Sequence, residues 1–269
     1  MSRLEAALRR ARETGRKALV PFLTGGYPDL ETFADLLLAA QAAGADAVEV
    51  GIPFSDPSAD GPVIQGASAQ ALAGGATVPA ILEQVARARA RGLGIPLLVM
   101  TYYNPVLARG GERFAREARE AGADGVLVVD LPPEEAGEFA PAARAAGLDT
   151  VFLVAPTTPQ ERVARVVAGC RGFVYCVGVT GVTGDRTPAA EAVEALVARI
   201  RPHTALPVLV GFGVGDVPSA RSVARTADGV IVGSALLRAV GGRRGAAAVK
   251  AARTFLEALR AGLDEPGPG

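Results

Sequence analysis

AAGADAVEV (residues 42–50) runs a helix end through Gly or Ala to an aspartate and straight into a strand, and the same junction returns as EAGADGVLV (120–128), AAGLDTVFL (145–153) and, with alanine alone before the aspartate, RTADGVIVG (225–233). Glycine relieves the left-handed stop of a helix, and the β-branched run after each aspartate reads as a strand. Outward from these junctions, short apolar runs alternate with alanine-rich amphipathic stretches: ALVPFL, DAVEVGI, PLLVM, GVLVVD, TVFLVA, GFVYCV, LPVLVGF and GVIVGS, starting near Lys17, Asp46, Pro96, Gly125, Thr150, Gly172, Leu206 and Gly229. That alternation is the pattern of βα units around a parallel sheet, and eight such strands close a (β/α)8 TIM barrel. The expected fold is therefore α/β, a single barrel domain over 1–269 with two additions. One is an N-terminal helix in MSRLEAALRRARETGRK. The other follows strand 2, where about 45 residues precede the third strand and leave room for a helix within 60–72 ahead of a connecting helix over 78–91. The junction aspartates Asp46, Asp124, Asp149 and Asp228 fall at the lower, stability-bearing end of such a barrel and read as structural.

Composition agrees with one enzyme-sized domain: 269 residues, 49% hydrophobic and 21% charged, which excludes a disordered or fibrous chain. Lys plus Arg and Asp plus Glu balance at 28 each, so no net field favours nucleic acid or an acidic membrane surface. No apolar run approaches the roughly 20 residues of a membrane span and the N-terminus lacks a signal-peptide core, so a cytoplasmic location is expected. Cys170 and Cys176 are spaced unlike CxxC and read as buried thiols, with no metal site implied.

The candidates for chemistry lie after strand 2. Period-2 alternation puts Ala47, Glu49 and Gly51 on one strand face and Val48, Val50 and Ile52 on the other. With the valines toward the helices, Glu49 projects into the barrel near its upper rim, where burial raises a carboxyl pKa and suits it to general acid/base work. Asp60, in Ser58-Ala59-Asp60-Gly61-Pro62, has two readings: N-cap of the following helix, or a carboxylate presented over the barrel mouth by a loop stiffened at Pro53 and Pro57. Asp56 and Asp130 fit turn or hydrogen-bonding roles better. Glycine-rich segments after strands six, seven and eight (180–184, 211–215 and 232–235) are candidate phosphate cradles, the last two above all, because loops after strands seven and eight of a barrel commonly hold phosphate through backbone N–H groups.

Absences narrow the reaction. His203 is the only histidine and precedes strand seven, at the wrong end for catalysis, which disfavours a histidine-ligated metal. Lys17 and Lys250 are the only lysines and neither is placed to form an interior Schiff base. No GxSxG elbow occurs. Carboxylate chemistry on a phosphorylated substrate remains, with tyrosine as a possible helper. The run Arg87-Ala88-Arg89-Ala90-Arg91 ends a helix and reads as a solvated face.

At VEVGIPFSDPSADGPVIQGA (48–67) the chain resembles the tryptophan synthase alpha subunit family, and PFLTGGYPD, TYYNP, DLPPEE, Tyr175, GVTG, GFGV and VGSA extend the resemblance in order over essentially the whole sequence. The resemblance implies retro-aldol cleavage of indole-3-glycerol phosphate to indole and glyceraldehyde 3-phosphate. It implies Glu49 as acid/base, Asp60 as acceptor from the indole N–H, and Tyr175 as an aid to positioning or proton transfer. Phe22, Met100, Leu127, Val129 and Phe212 are expected around the indole, and Thr183, Gly184, Gly213, Gly233 and Ser234 at a mobile lid and phosphate cradle. A pyridoxal-phosphate beta subunit is the implied partner, in an alpha2beta2 assembly, meeting Pro53, Phe54, Asp56, Pro57 and Asn104; this chain itself carries no cofactor. Ser58 stands where an aliphatic residue is common in the family, and 176–180 is less polar than in some members. Two alternatives stay open: another phosphate-binding barrel enzyme, or a barrel that binds a phosphorylated ligand only to regulate a partner.

Overall fold

The computed structural model describes residues 1–178, 188–211 and 213–265. All eight expected strands form. They are β1 (Ala18–Thr24), β2 (Val48–Gly51), β3 (Leu97–Thr101), β4 (Gly125–Val128), a fifth segment broken into β5 (Asp149–Val151) and β6 (Leu153–Val154), then β7 (Val174–Val177), β8 (Val208–Gly211) and β9 (Gly229–Val232). Every pairing is parallel, in the order β5-β4-β3-β2-β1-β9-β8-β7-β6. The break at Phe152 divides the fifth strand's partners, β5 bonding to β4 and β6 to β7, so this segment closes the ring.

Helices wrap the ring. After α1 (Arg3–Glu13) come α2 (Leu30–Ala42), α3 (Pro62–Ala73), α4 (Val78–Ala90), α5 (Tyr103–Arg109), α6 (Gly111–Glu120), α7 (Phe139–Ala145), α8 (Gln160–Gly169), α9 (Pro188–Ile200), α10 (Val217–Ala224), α11 (Ser234–Val240) and α12 (Gly245–Asp264). The two expected additions are α1 and α3. Ser2 caps α1, accepting from the Glu5 N–H, and Leu4 and Leu8 on its buried face are almost fully enclosed. A Cβ on Gly125 or on Gly172 would touch Leu4, so α1 plugs the lower end of the barrel with that leucine. None of the helices among the described residues is long and apolar enough to cross a membrane.

The junction aspartates explain how the lower end is held. Asp46 accepts from the Leu19 N–H (3.0 Å), Asp124 from the Leu97 N–H (2.9 Å) and Asp228 from the Val208 N–H (2.7 Å), so each ties its own strand to the start of a neighbour. Each also meets an arginine: Arg260 with Asp46, Arg89 with Asp124, Arg201 with Asp228. Asp149 accepts from the Ser2 hydroxyl, joining the plug helix to the fifth strand. The glycine before the strand has positive φ at Gly44, Gly122 and Gly147, the left-handed helix stop that the junctions predict. Arg89 corrects one expectation. It does not belong to a solvated face, because its guanidinium bonds the carbonyls of Gly122, Leu93 and Ile95 as well as Asp124.

Candidate active site

Alternation along β2 works out as the sequence suggests: Val48 and Val50 are fully buried toward the helices, and Glu49 lies opposite Phe22 of β1 and Leu98 of β3 on the inner face. Room for large side chains inside the ring comes from glycines. A Cβ on Gly51 would come within 2.5 Å of the Phe22 ring, and one on Gly211 would overlap the Tyr175 phenol. Small residues on β2 and β8 thus let an aromatic side chain from β1 and another from β7 lie across the mouth.

Three acidic groups converge there. Glu49 is 0% exposed and neither carboxylate oxygen has a partner among the described residues; burial, reinforced by the nearby Asp60 charge, pushes its pKa up to about 8. Asp60 reaches the same space from the loop before α3. Burial raises its pKa too, while a hydrogen bond from Tyr102 (2.9 Å to Oδ2) opposes the rise. Its other oxygen, Oδ1, is buried without a partner among the described residues. Burial holds the Tyr175 phenol protonated, and the charges of Glu49 and Asp60 act in the same direction.

The N-cap reading of Asp60 is overturned. Gly61 occupies the cap of α3, with Pro62 opening the first turn and no side-chain cap bond, so Asp60 sits one residue too early and its carboxylate turns inward to Tyr102. Asp130 does take a local role, accepting from the Tyr103 N–H at 2.7 Å. Asp56 is exposed and accepts from the Ser55 hydroxyl.

A cavity of about 80 Å³ opens at the mouth, walled by Phe22, Asp60, Ile64, Met100, Tyr175, Gly213, Val214, Ile231, Gly233 and Ser234. A small side lobe beside it is lined by Asp60, Met100 and Phe22 together with Thr24, Ser68 and Tyr102. The structure thus brings together Phe22, Asp60, Met100, Tyr175, Gly213, Gly233 and Ser234 of the expected set, with Glu49 enclosed next to them. Leu127 lies level with Met100 across the β3–β4 ladder, but it is 1% exposed and not on the cavity wall. Val129 lines a different groove, with Asp130, Pro132 and Arg162. Thr183, Gly184 and Phe212 lie outside the described residues, as does the segment expected to act as a lid.

Of the residues expected at a partner surface, Asp56 and Asn104 are exposed, Phe54 and Pro57 are half-buried, and Pro53 is buried within this chain. Tyr102, Ile64, Val214 and Ile231 were not singled out from the sequence. Ile231 was within reach, since strand alternation puts it on the inner face. The roles of Tyr102 and Ile64 come from how α3 and the end of β3 fold over the mouth, which no local pattern encodes.

The Cys170 and Cys176 thiols are buried and unpaired, and burial pushes both up to about 12. His203 is exposed in the single turn before β8, and the Lys17 ammonium donates to the Ala227 carbonyl at the lower end. Among the described residues no group of three His, Cys, Asp or Glu is placed to hold a metal.

A family model for the tryptophan synthase alpha chain matches residues 8–263. The chain belongs to the tryptophan synthase alpha chain family. The Geotalea daltonii tryptophan synthase alpha chain is 48% identical over 263 residues, 98% of this chain and 99% of that one. The alpha chain of Synechococcus sp. strain CC9902 is 49% identical over 251 residues, 93% of each. Among solved structures, a chain of Mycobacterium tuberculosis tryptophan synthase superposes with a TM-score of 0.89 at 40% identity, over 98% of this chain and 99% of that one. Tryptophan synthase subunit alpha from Legionella pneumophila gives 0.89 at 34% identity over the same shares. The alpha chain family carries the lyase role in the alpha reaction of tryptophan synthase, so this barrel is an enzyme of tryptophan biosynthesis that cleaves indole-3-glycerol phosphate to indole and glyceraldehyde 3-phosphate.

Proposed function

We propose that the cleavage runs on Glu49 and Asp60, with Tyr175 assisting in positioning or proton transfer. Breaking the bond between indole C3 and the glycerol chain leaves an electron pair on the ring, and a ring protonated at C3 accepts that pair itself. Glu49, which burial keeps protonated up to about pH 8, supplies the proton to C3. The resulting carboxylate then takes the proton of the hydroxyl on the adjacent glycerol carbon. That carbon becomes the aldehyde as the carbon–carbon bond breaks, the electrons return to the ring as indole, and Glu49 ends as it began. Asp60 accepts from the indole N–H and stabilises the positive charge that the ring carries in between.

The observation that carries this reading is Glu49 itself: a carboxyl wholly buried behind the cavity at the mouth, with both oxygens unpartnered among the described residues and an acid for a neighbour. A purely structural glutamate would have found a cation or an N–H. Phe22 and Met100 supply the apolar wall for the ring, with Phe212 completing it; Leu127, level with Met100 but off the cavity wall, and Val129, in a separate groove, stand outside it, and Tyr175 positions the substrate. Gly213, Gly233 and Ser234, with Thr183 and Gly184, hold the phosphate by backbone N–H groups, as suits a chain of no net charge.

Indole passes to a beta subunit that holds pyridoxal phosphate, in an alpha2beta2 assembly in the cytoplasm. Phe54, Asp56, Pro57 and Asn104 face that partner, with Pro53 supporting the loop from inside. The test is indole release from indole-3-glycerol phosphate by the purified chain, alone and with beta subunit. The rate rises with partner and is lost in Glu49→Gln. Persistent inactivity of the wild-type chain with beta subunit present would favour a regulatory, non-catalytic barrel instead.

A further inference from the structure

We propose that Tyr102 is a positioning residue for Asp60, holding one carboxylate oxygen so that the other faces the substrate N–H. This deepens, and rests on, the role given to Asp60 above. Tyr102 follows β3 directly, is 3% exposed, and sends its hydroxyl into the loop before α3. The phenol oxygen accepts from the Ala59 N–H at 3.0 Å and lies 2.9 Å from Asp60 Oδ2. A phenol has one proton to give. With the Ala59 N–H already pointing at the oxygen, that proton goes to Asp60, which fixes the carboxylate as acceptor and favours its charged form.

Among the described residues Oδ1 is left buried and unpartnered, on a residue that walls the cavity. Packing sets the phenol's place, since the Phe54 ring lies 5.3 Å from the Tyr102 ring, centroid to centroid. The titratable groups that face this pair from the surrounding strands and loops are Glu49, Tyr175 and Asp130. All are acids, and none of them neutralises Asp60. Among the described residues, Tyr102 is the only hydrogen-bond donor to that carboxylate. Without its hydroxyl, Asp60 would be free to turn and would hold its proton to higher pH.

The experiment compares wild type, Tyr102→Phe, Asp60→Asn and the double variant, with beta subunit present, in indole release across pH. Phe keeps the ring against Phe54 and removes only the hydroxyl. Turnover in Tyr102→Phe falls about 10-fold, as for the loss of one hydrogen bond to a charged group, while the KM for substrate stays within about 3-fold. The acid limb of the rate profile moves to higher pH, and Tyr102→Phe adds no further loss to Asp60→Asn. Site-specific 3-fluorotyrosine at 102 keeps the hydroxyl and strengthens it as a donor; it moves the acid limb to lower pH. An unmoved acid limb in both replacements, or a loss of thermal stability with the limb unmoved, overturns the proposal and leaves Asp60 standing. Wild-type turnover in Asp60→Asn overturns the reading beneath it.

Discussion

The two ends of this barrel carry the same kind of residue in opposite states. At the lower end Asp46, Asp124 and Asp228 each accept a strand N–H and meet an arginine. At the upper end Glu49 and one oxygen of Asp60 have no hydrogen-bond partner among the described residues. A buried carboxylate costs free energy unless it is hydrogen-bonded or paired, so the contrast separates carboxylates that hold the fold from those that the proposed mechanism assigns to a ligand. On the proposed mechanism the lower end serves stability and the upper end reactivity, which is the usual division of labour in a parallel barrel.

The sharpest way to break this contrast is Glu49→Gln. Turnover falls at least about 10²-fold in steady-state indole release, while binding of a phosphorylated ligand, measured by calorimetry, is retained. Asp60→Asn gives a loss of similar size. In the wild-type enzyme the rate also declines above about pH 8, where Glu49 loses the proton it must donate.

The same carboxyl tests the comparison through stability. Glu49 holds its proton to about pH 8 when folded but releases it near 4.5 when unfolded. Between those values the unfolded chain binds fewer protons, so stability falls as pH rises through that window and levels off above it. The drop is on the order of a few kcal/mol and disappears in Glu49→Gln, as read by urea unfolding at pH 5 and pH 8.

At the lower end the expected result is reversed. Asp124→Ala strands Arg89 and the Leu97 N–H and costs about 3 kcal/mol in urea unfolding, with turnover unchanged at temperatures where the variant stays folded. A catalytic defect there without a stability loss would erase the contrast. The smallest effect is expected on the surface: Arg113→Ala, which removes an exposed partner of Glu117, shifts stability by no more than about 0.5 kcal/mol.

The eight strands and both additional helices were legible from period and junction chemistry, because a strand buried between barrel and helices needs apolar residues on both faces and a helix stop needs its glycine. Glu49 was legible for the same reason: an acid in a run of valines has only the interior to enter. Asp60 was ambiguous, since an aspartate two residues before a helix-opening proline fits a cap as well as a site. What decided it was Tyr102, 42 residues further along the chain. Arg89 was misread because a basic run at a helix end normally faces water, whereas Asp124 and three strand-entry carbonyls lie in its path here. Leu127 shares the inner face with Met100, yet only Met100 reaches the cavity.

Local pattern, then, determined the architecture, the family and the identity of the interior acid, because hydrophobic period and turn chemistry act over a few residues and are written in consecutive positions. The tertiary structure alone decided which oxygens go unpartnered, which glycines make room for Phe22 and Tyr175, and that a tyrosine after β3 holds an aspartate before α3. Those outcomes depend on side chains brought together by closing the ring, and closure sets distances between segments that sequence spacing does not encode.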